Sequence, residues 1–169
     1  IGAIWSSCSP DFGTQGLIER FSQIKPKILI ITDRYYYNGK EINILERLPL
    51  IIEKIKSIKT VLIVNYPGKK YLKQKKIKGI RIFNFNKIKK IKQNKIKFKR
   101  FDFDHDLAIL YSSGTTGKPK CICHRAGGVL LQHLKEHQLH CEVKPGDNVF
   151  YFTTCGWMMW NWLLTFLAS

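Results

Sequence analysis

Tyr111-Ser-Ser-Gly-Thr-Thr-Gly-Lys-Pro-Lys120 is the stretch on which the reading of this chain turns. The apolar run 107–110 leads into it and the short run Cys121-Ile-Cys123 leads out. It is therefore expected to be a loop between two short strands. Residues 112–117 are all hydroxyl-bearing or glycine. Gly114 and Gly117 allow tight turns and a close approach of backbone N–H groups to an anion. Ser112, Ser113, Thr115 and Thr116 add hydroxyl donors, and Lys118 and Lys120 add positive charge. Many donors, little bulk and compensating charge suit a polyphosphate. A Walker A loop is excluded. It needs Gly where Ser112 stands, and Ser or Thr after the Gly-Lys pair, where this chain has Pro119.

Outward from the loop, apolar runs alternate with helical periodicities. The pattern predicts a strand at 1–5, a helix at 15–24 ended by Pro26, and a strand at 27–32 buried on both faces. It predicts a loop at 33–40, an amphipathic helix at 42–58 interrupted near Pro49, and a second buried strand at 60–65. Beyond the loop it predicts a helix at 127–141, a strand at 149–154 and a buried aromatic helix from Gly156. The alternation marks an α/β domain with a mostly parallel sheet. The run 157–168 is too short to cross a bilayer.

The chain has 169 residues, 29 Lys or Arg and 12 Asp or Glu, a formal net charge of +17. Fifteen of the basic residues and none of the acidic ones fall in 69–100. The remainder carries 29 − 15 = 14 basic and 12 acidic residues, a net of +2. Phe83, Phe85 and Phe98 among the lysines are what a nucleic-acid stacking platform would use. Lysine beside isoleucine recurs throughout the chain, so a solvated, poorly ordered surface excursion with an edge strand at 80–85 is expected there, and no nucleic-acid partner. Five cysteines without regular spacing suit reduced thiols in a cytoplasmic protein. Cys121 and Cys123 would share one strand face. His133, His137 and His140 recur along one helix face, but the H-E-x-x-H zinc pattern is missing, so hydrogen-bonded or solvated histidines are expected.

The loop resembles the signature loop of the adenylate-forming superfamily, which comprises acyl-CoA synthetases, luciferases and peptide-synthetase adenylation domains. His124, Gly127-Gly128 and Thr153-Thr-Cys-Gly-Trp157 extend that likeness. Ser9-Pro-Asp-Phe-Gly13, the run 132–140 and the run 150–162 are similar to the acetoacetate-activating branch. The likeness covers about 1–65 and 101–169. It implies a partial N-terminal AMP-binding domain over 1–169, with the adenine and ribose motifs and the C-terminal lysine domain absent from this chain. It implies ATP, Mg2+ and coenzyme A as ligands and acetoacetate as the acid. Under it, Ser112, Ser113, Gly114, Thr115, Thr116, Gly117 and Lys120 hold the ATP phosphates. Lys120 acts on the transition-state charge, and Thr116 meets the metal. Trp157, Met158 and Asn161 line the acyl pocket, with Asn161 as a polar anchor. Lys40 meets coenzyme A. Cys121 stands where the superfamily commonly has glycine, which the acetoacetate branch shares.

Overall fold

The computed structural model describes residues 1–88, 97–112 and 117–169, which fall into two compact units. One is Pro10–Ile96; the other joins Ile1–Ser9 to Lys97–Ser169.

In the first unit, α1 (Thr14–Ile24) ends at Lys25, which takes a left-handed conformation and donates its N–H to the Phe21 carbonyl. β1 (Ile28–Thr32) follows. β2 (Arg34–Tyr37) and β3 (Lys40–Asn43) form an antiparallel hairpin where a loop is expected. The cause is Asn38-Gly39. Both residues have positive φ, 48° and 73°, as a two-residue hairpin turn of the right twist requires. The periodicity over 42–58 resolves into β3, a 3-10 turn at Leu45–Arg47 and the short helix α2 (Leu48–Lys54). Asn43 Oδ1 accepts from the Leu45 N–H at 3.0 Å and starts the turn, and Pro49 lies in the first turn of α2.

β4 (Thr60–Val64) and the edge strand β5 (Arg81–Asn84) complete a parallel sheet in the order β1-β4-β5. The single turn α3 (Phe85–Ile88) follows β5 within the lysine-rich stretch. Burial alternates along β1 and β4. Leu29, Ile31, Val61 and Ile63 are buried, together with Phe21 of α1 and Leu48, Ile51 and Ile52 of α2. Each such side chain contributes about 1.5–3 kcal/mol of burial. The other face is open: Ile28, Ile30 and Phe83 are exposed. Burial of both faces of these strands is thus not met among the described residues.

In the second unit, β6 (Asp106–Tyr111) pairs antiparallel with β7 (Cys121–Arg125), with Tyr111 opposite Cys121 and a bulge near Asp106. The expected strand at 1–5 reduces to one bridge, Trp5 to Ala108. Gly2, at φ 73° with the Phe101 ring against its Cα, breaks the extended run. α4 (Ala126–Lys135) continues into a π-helical turn, Glu136–His140, and α5 (Met158–Thr165) ends in a 3-10 turn. The expected strand at 149–154 has no ladder partner among the described residues, and Phe150 and Phe152 are exposed. α5 is helical as expected, but none of its side chains is fully buried.

Candidate active site

The strand ends that frame the candidate phosphate loop are tied together. The Ser112 N–H donates to the Lys120 carbonyl at 3.0 Å, one step beyond the Tyr111–Cys121 pair. Ser112 and Lys120 are thereby held side by side at the end of the β6–β7 ladder. Pro119 is buried, while Gly117, Lys118 and Lys120 are exposed. Ser113, Gly114, Thr115 and Thr116 lie outside the described residues. Lys118 and Lys120 form no ion pair among the described residues.

A short strap braces this base. Ser6 Oγ donates to the Ile109 carbonyl at 2.8 Å and lies 3.1 Å from the Tyr111 hydroxyl. The next residue, Ser7, donates to the Cys155 carbonyl at 2.6 Å. Cys155 Sγ in turn donates to the Cys8 carbonyl at 3.2 Å. Residues 6–8 thus connect the root of the candidate phosphate loop to the segment Thr153-Thr-Cys-Gly-Trp157. The local sequence signal for this strap is the pair Ser6-Ser7, whose hydroxyls bond across more than 100 residues.

Behind β7, α4 starts against the chain itself. The Ala126 and Gly127 N–H groups donate to the carbonyls of His105 and Phe103, both at 2.8 Å. A Cβ on Gly127 would meet the Phe103 ring at 2.2 Å, so only glycine fits. Asp106 pairs with Arg125 across the strands. Partial burial, and then a hydrogen bond and like charge from Asp106, push the Cys123 thiol above its usual range. No group of three or more His, Cys, Asp or Glu that could hold a metal occurs among the described residues.

Trp157 caps α5 and is 68% exposed; Met158 begins the helix and is also exposed. Asn161, one turn on, has its Nδ2 buried and unpaired. These three lie together at the start of α5. An open cleft of about 400 Å³ lies elsewhere, against Tyr151, Trp162 and Phe166. Lys40 sits in the other unit, exposed on β3 opposite Tyr37. His133 and His137 are buried and hydrogen-bonded, whereas His140 is exposed. The π turn, closed by the Cys141 N–H on the Glu136 carbonyl, adds a residue and carries His140 off the buried stripe.

A family model described as AMP-binding enzyme matches residues 1–169. The chain belongs to the AMP-binding enzyme family. Within that family it is 48% identical over 168 residues to an acetoacetyl-coenzyme A synthetase of Rhizobium meliloti, covering 99% of this chain and 25% of the relative. It is 46% identical over 172 residues to the acetoacetyl-CoA synthetase of Gallus gallus, covering 100% and 26%. The solved acetoacetyl-CoA synthetase from Streptomyces lividans superposes with a TM-score of 0.87 at 35% identity, over 99% of this chain and 25% of that one. The chain therefore spans about a quarter of the length of the relatives it matches. No helix among the described residues is long and apolar enough to cross a membrane.

Proposed function

We propose that this chain is part of the N-terminal adenylation domain of an ATP-dependent acetoacetate–CoA ligase. The observation that carries the reading is a phosphate-loop frame closed between Ser112 and Lys120, in a chain similar throughout its length to acetoacetyl-CoA synthetases. In the first step the acetoacetate carboxylate attacks the α-phosphorus of ATP. An acyl adenylate forms and pyrophosphate leaves. In the second, the thiol of coenzyme A attacks the acyl carbon and AMP leaves. Segment 112–120 holds the β- and γ-phosphates through backbone N–H groups, hydroxyls and Lys120. It stabilises the charge that grows on the departing pyrophosphate. Orientation and electrostatics carry the acceleration, with no nucleophile supplied by these residues.

Trp157, Met158 and Asn161 border the acid, and Lys40 meets coenzyme A. Thr116 is the residue assigned to Mg2+ by the likeness to the family loop, and the ion would supply charge neutralisation when bound. The lack of a carboxylate or imidazole cluster among the described residues fits a metal held mainly by substrate phosphates. Remaining binding and lid elements are assigned to the rest of a longer polypeptide acting in the cytoplasm. The test is acetoacetate-dependent exchange of pyrophosphate into ATP by the product of the complete reading frame. Exchange with acetoacetate above acetate and butyrate is expected, with a loss of roughly a hundredfold or more in Lys120→Ala, the scale of one oxyanion-type donor. Absence of exchange with every short acid would overturn the reading.

A further inference from the structure

α4 and its π turn meet α5 through a polar interlock. His133 is 8% exposed, with Nδ1 2.9 Å from Thr165 Oγ1. His137 is fully buried, with Nδ1 2.7 Å from Ser169 Oγ. Between them, Glu136 accepts from Trp162 Nε1 at 2.7 Å. The His137 ring stacks on Phe166 at 3.6 Å and meets the Trp162 ring edge-on at 4.9 Å. Three neighbours on one helix therefore grip residues 162, 165, 166 and 169, the i, i+3, i+4, i+7 stripe of α5 and the turn after it. α5 has only eight residues and no fully buried side chain. Apolar packing alone does little to set its rotation.

The hydroxyls decide the imidazole tautomers. Thr165 Oγ1 donates to the Trp162 carbonyl at 2.7 Å, and Ser169 Oγ donates to the Thr165 carbonyl at 3.3 Å. A hydroxyl has one proton, so each must accept from its histidine. Both rings then carry a proton on Nδ1. In His137 this leaves Nε2 a bare acceptor, buried and unpaired. A second proton would put a cation between two aromatic rings with no partner at that atom.

We propose that His133 and His137 are positioning residues, neutral Nδ1–H donors that hold α5 at the rotation presenting Trp157, Met158 and Asn161 to the acid. The proposal rests on the acyl-pocket assignment made above. Burial first, and for His133 also the neighbouring His137 and His124, lowers both imidazoles below their usual value. Glu136 opposes this in both, as does the Trp162 carbonyl in His137. α5 brings no charged side chain to the pair, and β7 brings only His124. Each histidine binds its proton more weakly folded than unfolded. The docking they give is thus complete above about pH 6.5 and lost as pH falls through their lower folded values.

The test uses the product of the complete reading frame and four variants: His133→Ala, His133→Asn, His137→Asn and Thr165→Val. Asparagine keeps a donor close to the position of Nδ1 but cannot be protonated. In His133→Ala the KM for acetoacetate should rise about tenfold or more, with the KM for ATP unchanged, as befits a misplaced pocket wall. His133→Asn should restore most of that loss. Thr165→Val, which keeps shape and removes the acceptor, should reproduce it and decides the matter if His133→Ala does not fold. Independently of activity, tryptophan emission should titrate with a midpoint below about pH 6.5 and stop doing so in His137→Asn. Parallel rises in both KM values, no rescue by asparagine, or a titration that survives His137→Asn would each overturn the proposal. A wild type without exchange on any acid would instead sink the proposed function, and the emission titration would still judge the interlock.

Discussion

Asp33 and Arg34 make the buried ion pair of the first unit, and Asp33→Asn tests what that pair does. Asp33 is fully buried and Arg34 is 6% exposed, with 3.1 Å between carboxylate and guanidinium. The carboxylate also accepts from the Tyr66 N–H at 2.9 Å and the Leu72 N–H at 3.5 Å. It therefore pins the chain leaving β4 to the sheet. Asparagine has nearly the same shape and can still accept from Tyr66 through its one oxygen. The NH2 that replaces the other oxygen meets the Arg34 and Leu72 donors head-on. Breaking a buried pair costs about 3–5 kcal/mol. Arg34 retains Glu41 at 3.0 Å and the Lys70 carbonyl at 2.6 Å, which favours the lower end. A loss of about 3 kcal/mol is roughly a hundredfold in an opening equilibrium. Hydrogen exchange reads this locally, without requiring the whole protein to unfold in one step. Amides of β1, β4 and residues 66–72 should exchange about a hundredfold faster in Asp33→Asn, with those of α4 and α5 unaffected. Exchange within a factor of three of wild type over 66–72 would refute the assignment of Asp33 as the pin.

Three further outcomes follow from equally local geometry. Gly127→Ala should cost about 1–3 kcal/mol in urea unfolding, because its Cβ would overlap the root of the Phe103 ring, and Phe103→Ala in the same chain should recover most of it. Gly39→Val should destabilise the β2–β3 hairpin by about 1–2 kcal/mol through its positive φ, seen as faster exchange of the Tyr35 and Tyr37 amides, whereas Gly39→Asn should be milder. The Tyr36 hydroxyl, and then Arg34, hold the Glu41 carboxyl below the usual carboxylate range. Its folded proton affinity is depressed, so the stability it adds is present above the ordinary range and lost as pH falls through the lower folded value. Carboxyl NMR should show that depression, and Tyr36→Phe should bring the titration part of the way back up.

What could be read in advance follows the range of the forces involved. The loop between β6 and β7 was legible because six glycine and hydroxyl residues between two apolar runs have few other uses. β1 and β4 were legible as continuous Ile, Leu and Val, although their one-sided burial was not, since that depends on what covers a face. The β2–β3 hairpin carried a local signal in Asn38-Gly39. It was hidden because Ile42, Leu45, Leu48, Ile51 and Ile52 mimic a helical stripe running back across β3. Asn43 ends that ambiguity by capping the turn, a competition between side chain and backbone that periodicity cannot register.

The site divides in the same way. Its residue types are local, but its bracing is not. Ser6 and Ser7 reach partners 103 and 148 positions away, and nothing in their own neighbourhood specifies those partners. The histidine stripe was visible, yet Thr165 and Ser169, which fix its tautomers, belong to no pattern. These long-range bonds turn separate motifs into linked ones. The root of the phosphate loop and the segment before α5 hang from one strap, Ser6 to Cys8, and α5 is held from its other end by His133 and His137. Displacing the strap should therefore disturb the phosphate end and the acyl end together, whereas loosening the histidines should disturb the acyl end alone. Ser7→Ala compared with Thr165→Val separates the two: KM for ATP and for the acid should both rise in the first, and only that for the acid in the second.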